Sequence, residues 1–398
     1  MKILVCNVGS TSLKFKLYDM PGEKVSAQAY VERVGSRDDG IYTYTNLAEK
    51  KTFRQTQVAV PTYTEGIQLF LTDLISEEKG CLTGIGEIEA VGFKTVLSRG
   101  HYGVHRLTEE VLQGMEDYMA VAPAHNGPYL EAIHVFQKLL PQAALIGSFE
   151  TAFHQTIPLA ESLYAIPYEW YEKYGIRRMG YHGASHGHVA AMLLEREGEA
   201  DQVVSCHLGG SCSLCAIDGG KSLNNSFGFS LQAGVFHNSR VGDMDAYIIP
   251  YLLKQGLTID EITFGLEKNS GLLGISGVSN DLRQVEEAAE AGNERAVLAV
   301  DMFVNSIVSH IGAYAAQMGG LKQLVFTGGI GENSASVRRR VCRRLAFLGV
   351  KLSDEKNESS GKDKVISAED SQVKVHVIPA NEELGIARNV YRELTHVL

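Results

Sequence analysis

The N-terminal segment alternates between apolar runs and one short polar stretch. Residues 3–6 are apolar, NVGSTS at 7–12 is polar, and apolar and polar positions alternate over 13–18. This pattern predicts two β-strands joined by a tight turn. The turn contains one glycine, three hydroxyls and an amide, and two interpretations stay open: an ordinary hairpin loop, or a cradle whose backbone and side-chain donors meet a phosphate.

The same arrangement returns about 200 residues later. An apolar run over 203–207 enters the turn LGGSCS at 208–213, and a second apolar run follows over 214–217. Two strand–turn–strand units, one in each half of the chain, predict an internal duplication. Two such turns facing each other would hold a polyphosphate from both sides.

Helix-period and strand-period segments alternate through the rest of the chain, which predicts an α/β protein. Further strands are predicted over 41–45, 90–96, 144–146, 321–326 and 373–377, and helices over 64–75, 108–119, 128–139, 187–197, 244–255, 258–267, 281–291, 293–317 and 381–398. The strand at 321–326 runs into the glycine turn TGGIGEN.

The composition is that of a globular protein with room for two or three domains. The chain has 398 residues, of which 44% are hydrophobic and 21% charged, and a net charge of -10. That charge argues against a nucleic-acid or anionic-membrane surface. No secretory signal or membrane-length apolar run is apparent, and the six cysteines fall mainly in apolar runs. A cytoplasmic location is therefore expected.

Four local motifs suggest other chemistry, and their surroundings weaken each of them. The C-x-x-C pair Cys212 and Cys215 lies in an alternating strand pattern without a second pair. GGKS at 219–222 lacks the earlier glycine of a phosphate-binding loop, and GASHG at 183–187 follows a polar segment instead of a buried strand. His182 and His186 have a zinc-like spacing without a glutamate between them.

Motifs along the whole chain resemble the acetate kinase family, within the actin/Hsp70/sugar-kinase superfamily. In family order they are NVGSTSLKF at 7–15, FETAFHQTIP at 149–158, RRMGYHGASH at 177–186, HLGGSCS at 207–213, NSRVGDMDA at 238–246, SGVSNDLR at 276–283, FTGGIGEN at 326–333 and PANEELGIAR at 379–388. The resemblance implies phosphoryl transfer between ATP and a short carboxylic acid, giving ADP and an acyl phosphate, with Mg²⁺ and commonly in a homodimer.

The resemblance also implies a set of site residues. The catalytic set is His182, Arg240, Lys94, Glu150 and Asn7. The nucleotide and phosphate set is Ser10, Ser12, Lys14, His207, Gly209, Gly210, Ser211, Asp281, Leu282, Arg283, Gly329, Ile330, Gly331, Glu332 and Asn333. The substrate pocket is Val96, Ala124, His125, Tyr181 and Leu231, and the metal-side residues are Asn7 and Glu382.

Elementary chemistry agrees with these implied roles. The planar guanidinium of Arg240 suits both a carboxylate and a phosphoryl group, and His182 would donate to the phosphoryl in flight. The carboxylate of Glu382 is an oxygen ligand of the kind that Mg²⁺ takes. Phosphoryl transfer needs in-line positioning and neutralisation of charge more than covalent chemistry.

The chain departs from the family pattern at the implied chemistry. Lys94 stands where the family has an arginine, which keeps the charge and loses the bidentate fork. Glu150 stands in place of an aspartate, and Gly210-Ser211 in place of asparagine-glycine. In the implied pocket, Ala124 replaces a leucine, while Tyr181 replaces a phenylalanine and Leu231 a proline. The net change favours an acid larger than acetate, with or without a hydroxyl group.

The resemblance implies a two-domain actin-like, ribonuclease-H-like ATPase fold with a duplicated sheet and helix core. The first domain is expected over 1–150 with the C-terminal helix at 381–398, and the second, nucleotide-binding domain over 151–380. The implied function is a short-chain carboxylate kinase. Two alternatives stay open: a kinase of the same fold with another acid or phosphoryl donor, and a catalytically silent nucleotide-binding protein.

Overall fold

The chain folds into two compact α/β units, each built on its own sheet. The units are Met1–Ala152 with Asn381–Leu398, and Phe153–Ala380. The computed structural model describes every residue except Ser10, Ala120, Ala122, Lys362 and residues 396–398. For Pro123 and Ala124 it describes the backbone and not the side chain. The predicted α/β class is confirmed.

The first unit contains an eight-stranded mixed sheet. Its strands are β1 (Lys2–Gly9), β2 (Ser12–Asp19), β3 (Lys24–Glu32), β4 (Ser36–Asn46), β5 (Lys51–Val60), β6 (Ile88–Phe93), β7 (Val104–Arg106) and β8 (Ala144–Ser148). The spatial order is β5-β4-β3-β2-β1-β6-β8-β7. Strands β1 to β5 form an antiparallel meander, whereas β1, β6 and β8 run parallel.

Burial explains which strands the apolar pattern revealed. Strand β1 lies inside the sheet, so Ile3, Leu4 and Val5 are all buried. In β2 the alternating residues face the core, where Phe15 stacks on Phe70 with ring centroids 4.6 Å apart. Strand β5 is an edge strand with mostly exposed residues, and its polar sequence therefore carries no apolar signal.

Three helices cover the sheet of the first unit, and a fourth returns to it from the C-terminus. The first three are α1 (Tyr63–Leu74), α2 (Glu109–Asp117) and α3 (Pro123–Leu139), with a short 3₁₀ helix at Ile85–Glu87. Helix α1 begins at a capping box in which the side chains of Thr62 and Glu65 bond each other's backbone amides.

The second unit repeats the central sheet pattern of the first. Its strands are β9 (Val203–Leu208), β10 (Cys212–Asp218), β11 (Lys221–Asn225), β12 (Gln323–Thr327), β13 (Lys364–Val365) and β14 (Lys374–Val377), in the order β11-β10-β9-β12-β14-β13. Strands β9, β10 and β11 are antiparallel, and β9, β12 and β14 are parallel, as β1, β6 and β8 are. The predicted duplication is confirmed, and the two polar turns occupy equivalent places.

Helices surround this second sheet. They are α4 (Leu159–Ser162), α5 (Tyr168–Tyr174), α6 (Gly183–Glu197), α7 (Ile248–Lys254), α8 (Ile259–Lys268), α9 (Gly271–Ser276), α10 (Leu282–Glu290), α11 (Glu294–Gln317), α12 (Gly328–Asn333), α13 (Ala335–Arg344) and α14 (Asp354–Glu358), with 3₁₀ turns at Ala152–Thr156 and Ala346–Leu348. Among the described helices, α11 alone has the length and apolar composition of a membrane span. Its buried face, including Phe303 and Ile307, packs in the core of this unit.

The C-terminal helix α15 (Glu382–Thr395) packs on β1 and β6 of the first unit. Ile386, Ala387 and Val390 form its buried side. Gly92 in β6 makes this close approach possible, because a Cβ there would lie 2.6 Å from the Cγ2 atom of Val390. The packing fixes the helix whose first residue is Glu382.

Candidate active site

The first unit gathers polar side chains at the carboxyl ends of its parallel strands. Lys94 follows β6 directly, Glu150 lies two residues after β8, and Asn7 is near the end of β1. Because these three strands are parallel neighbours, their carboxyl ends meet at one edge of the sheet. That edge is where open α/β sheets usually place their ligands.

Lys94 lies between two carboxylates. Its Nζ atom is 2.7 Å from Oε2 of Glu382 and 3.9 Å from Oε2 of Glu150. The side chains of all three are largely buried, with 18% of Lys94, 14% of Glu382 and 5% of Glu150 exposed. Burial opposes the charged ammonium, but Glu150 and Glu382 outweigh it and raise the pKa of Lys94 above its ordinary value. The cluster therefore holds one positive and two negative charges.

Tyr129, in α3, fixes the side chain of Asn7. The tyrosine hydroxyl donates to Oδ1 of Asn7 at 3.2 Å and accepts a hydrogen bond from the backbone N–H of Val8 at 3.1 Å. Burial raises the pKa of Tyr129, so the phenol stays protonated. The sequence analysis missed this residue, because a tyrosine on a helix resembles any other core aromatic.

The remaining predicted residues of the first unit are dispersed around this edge. Ser12 is half-buried at the start of β2, and Lys14 is exposed with its ammonium 5.4 Å from the ring centroid of Tyr30. Val96 is buried and His125 is half-buried in α3. Two predicted positions, Ser10 and the side chain of Ala124, lie outside the described residues.

His182 occupies a constrained position in the second unit. It precedes α6 with φ 57° and ψ 32°, a left-handed conformation that a non-glycine residue adopts at an energetic cost. Its Nδ1 atom lies 2.8 Å from the hydroxyl oxygen of Ser213, and its ring stacks on His207 with centroids 4.0 Å apart. These contacts fix both the backbone and the imidazole plane.

Serine hydroxyls also hold the neighbouring histidines. His186 places Nδ1 2.9 Å from Oγ of Ser205 and Nε2 2.9 Å from Oγ of Ser213, while Nδ1 of His207 lies 2.8 Å from Oγ of Ser185. Burial lowers the pKa of His186 well below its ordinary value, so this ring is neutral. Within the described part of the chain no group of three potential metal ligands occurs, and the zinc alternative finds no support.

Arg240 lies in the loop between β11 and α7. Its Nη1 atom donates to the carbonyl oxygen of Leu231 at 2.7 Å, and the backbone N–H of His237 donates to the carbonyl of Arg240 at 3.0 Å. Burial lowers the pKa of Arg240 from its ordinary value, although a guanidinium remains charged in proteins. Two predicted residues of different sets, Arg240 and Leu231, are thus in direct contact.

Tyr181, which precedes His182, is fully buried. Its hydroxyl donates to the carbonyl oxygen of Phe229 at 2.7 Å. The phenolic proton is therefore used within the protein, and toward a substrate the Tyr181 oxygen can act only as a hydrogen-bond acceptor.

A cleft of about 390 Å³ lies at the ends of β9 and β12 in the second unit. Its lining includes eight residues that the resemblance assigned to the nucleotide: Gly209, Gly210, Asp281, Leu282, Arg283, Gly329, Ile330 and Asn333. Glu286 and Ser334 also line it and were not anticipated from the sequence. A Cβ on Gly329 would meet no heavy atom within 4 Å, so the backbone is open to a flat ligand there.

Four other residues of the predicted nucleotide set that lie in the second unit do not line this cleft: His207, Ser211, Gly331 and Glu332. His207 instead stacks on His182, and the carboxylate of Glu332 accepts a hydrogen bond from the backbone N–H of Ala380 at 3.0 Å. Gly331 is buried against Phe326. The nucleotide roles of these residues stay predictions.

The duplicated sheets, the two Gly/Ser turns and the glycine-lined cleft agree with the nucleotide-dependent phosphotransferase class that the motifs predict. The chain belongs to the acetokinase family, whose model matches residues 2–388. It is a short-chain carboxylate kinase, a phosphotransferase that uses ATP and ADP and has a carboxyl group as acceptor.

Individual relatives agree over nearly the whole chain. The acetate kinase of Halothermothrix orenii is 44% identical over 397 residues, covering 98% of this chain and 99% of its own length. The propionate kinase of Citrobacter rodentium is 46% identical over 396 residues, with coverage of 98% and 96%. The crystal structure of Porphyromonas gingivalis acetate kinase superposes with a TM-score of 0.88 at 38% identity, covering 99% of each chain.

We predict that Lys94→Met lowers the free energy of unfolding by about 3 kcal/mol or more, because it leaves two largely buried carboxylates without their shared cation. Urea unfolding at neutral pH measures the loss. Lys322→Met is the matched control, since Lys322 also meets two carboxylates, those of Glu199 and Asp201, in an exposed cluster. The control should change stability by about 0.5 kcal/mol or less. Equal losses in both variants would contradict the charge assignment.

Proposed function

We propose that this kinase acts on a short unsubstituted acid larger than acetate, with propionate as the preferred substrate. Ala124 stands where the family motif has a leucine, which removes three heavy atoms from the implied pocket. The Tyr181 hydroxyl donates to Phe229, so it adds no free donor to the pocket. A relative of similar identity is named a propionate kinase, which agrees with this choice.

We further propose that Arg240 and His182 act on the transferring phosphoryl group. The guanidinium would neutralise the acid and the spreading phosphoryl charge, while the imidazole would donate a hydrogen bond. Lys94 differs from Arg240 because two carboxylates already neutralise it. Arg240, by contrast, donates to the backbone carbonyl of Leu231, an uncharged partner that leaves its positive charge available.

Mg²⁺ is proposed to bind together with the nucleotide. The oxygen atoms of Asn7, Glu150 and Glu382 are hard donors that fit this ion, but Lys94 and Tyr129 already contact them. Such donors suit a magnesium ion that is held mainly by phosphates and water. When bound, the ion would neutralise phosphate charge, while Lys94 and Tyr129 keep the protein oxygens oriented.

A homodimer and a cytoplasmic location complete the proposal. Large apolar side chains are exposed on α7, α8 and the turn between them: Tyr247, Ile248, Tyr251, Leu253, Leu257, Ile259 and Phe264. An exposed apolar patch of this kind is typical of a protein interface. The six cysteines are free thiols, as suits a reducing compartment.

The dimer proposal is tested by sedimentation velocity. Tyr251→Glu and Phe264→Glu should shift the protein toward monomer, because each places a charge in the proposed apolar interface. Phe347→Glu is the control, since Phe347 is 77% exposed and lies outside this patch. A dimer unaffected by either interface variant would locate the contact elsewhere.

The acid proposal predicts a size-dependent specificity constant. Each methylene buried in the pocket should add about fourfold in kcat/KM, so propionate should exceed acetate. Formate, acetate, propionate, butyrate, glycolate and lactate are compared in a coupled assay, and Ala124→Leu should return the preference to acetate. A wild-type preference for acetate that Ala124→Leu leaves unchanged would defeat the proposal.

The role of Arg240 predicts a severe and specific loss. Arg240→Ala should lower turnover about a hundredfold or more, and Arg240→Lys should restore it only in part, because an ammonium lacks the planar fork. Arg295→Ala is the matched control, since Arg295 likewise donates to backbone carbonyls, those of Ile275 and Gly274, at the surface. Near-normal turnover in Arg240→Ala would refute the assignment.

A further inference from the structure

A chain of hydrogen bonds runs through the buried core of the second unit to His182. It passes from Oγ of Ser205 to Nδ1 of His186, from Nε2 of His186 to Oγ of Ser213, and from Ser213 to Nδ1 of His182, with distances of 2.9, 2.9 and 2.8 Å. Ser205, Ser213 and His186 are completely buried. Among these four residues, the resemblance assigned a role only to His182. It gave none to Ser205, His186 or Ser213.

The number of protons limits how this chain can be arranged. Ser213 has one hydroxyl proton and meets two imidazole nitrogens, so it can donate to only one ring, and when it does it accepts from the other. His186 is neutral and carries one proton. In one arrangement Ser213 donates to His186 and accepts from Nδ1–H of His182. In the other it accepts from Nε2–H of His186 and donates to Nδ1 of His182.

We propose that Ser213, oriented by His186 and Ser205, is a positioning residue that holds His182 as the tautomer with its proton on Nε2. In this arrangement the Ser205 hydroxyl donates to Nδ1 of His186, and each of the three contacts pairs one donor with one acceptor. The outer nitrogen of His182 then carries a proton while the ring is uncharged.

The chemistry of the phosphoryl group selects this arrangement over its reverse. Phosphoryl oxygens only accept hydrogen bonds, so they need a donor at the outer nitrogen of the imidazole. The reverse arrangement would leave a lone pair on Nε2 of neutral His182, which repels those oxygens. The stacked ring of His207, itself held by Ser185, keeps the His182 ring from turning out of line.

This inference rests on the proposed role of His182, and its first test does not depend on catalysis. The protein is labelled with ¹⁵N-histidine, and long-range ¹H–¹⁵N correlation identifies which nitrogen of His182 bears the proton, with His182→Gln used for assignment. A neutral ring protonated at Nε2 supports the proposal. A ring protonated at Nδ1, or at both nitrogens at neutral pH, overturns it.

The second test separates positioning from folding. Ser213→Ala should lower kcat about 10- to 100-fold while KM for acid and nucleotide changes little, and the Nε2–H signature of His182 should be lost. Ser222→Ala is the matched control, because Ser222 is an equally buried serine that lies 2.8 Å from Nδ1 of a different histidine, His154. The control should keep kcat. Unchanged kcat and signature in Ser213→Ala would overturn the proposal.

Two further variants distinguish failure of this inference from failure of the proposed function. Ser213→Cys keeps a small side chain with a weak donor and should recover part of the lost rate if hydrogen bonding is what matters. His182→Ala tests the catalytic role itself. If His182→Ala retains turnover while the wild-type ring shows Nε2–H, the proposed role fails and the hydrogen-bond chain stands as a structural feature.

Discussion

Both units are governed by the requirement that polar groups removed from water must find partners inside the protein. Parallel strands end together at one edge of a sheet, and here those ends carry amides, carboxylates, imidazoles and an ammonium. In the first unit Lys94 donates to Glu382 and lies 3.9 Å from Glu150, and Tyr129 donates to Asn7. An unpaired buried charge or amide lowers stability by several times the free energy that a surface ion pair contributes. These pairings therefore fix the orientation of the side chains at this edge of the sheet.

The two departures from the family motif in the first unit make sense together. A lysine offers a single compact charge where an arginine offers a fork, and a glutamate reaches one methylene farther than an aspartate. Glu150 lies 3.9 Å from Nζ of Lys94, while Glu382 takes the shorter contact at 2.7 Å. Lys94 therefore keeps a cation at this edge of the sheet, although Glu150 and Glu382 balance its charge within the protein. The guanidinium of Arg240 in the second unit is left as the less compensated positive charge.

The second unit holds His182, His186 and His207 through serine hydroxyls. Imidazoles alternate with serine hydroxyls, each of which can donate or accept, so these hydrogen bonds form without a charged partner. The duplicated sheet thus supports two different electrostatic environments on one architecture.

The sequence by itself determined the local elements and the family. Apolar runs marked β1, β9 and β10, and alternating residues marked β2. The repeated strand–turn–strand pattern indicated the duplication, and the ordered motifs indicated a carboxylate kinase. Several strands, among them β3, β5, β7 and β13, were not predicted; the exposed edge strand β5, for example, has no apolar pattern. Only the tertiary structure decided that Lys94 meets Glu382, 288 residues away, and that Ser213 meets both His182 and His186. Such pairings depend on which strand ends become neighbours in the sheet, and the local sequence pattern does not indicate which distant residues will meet.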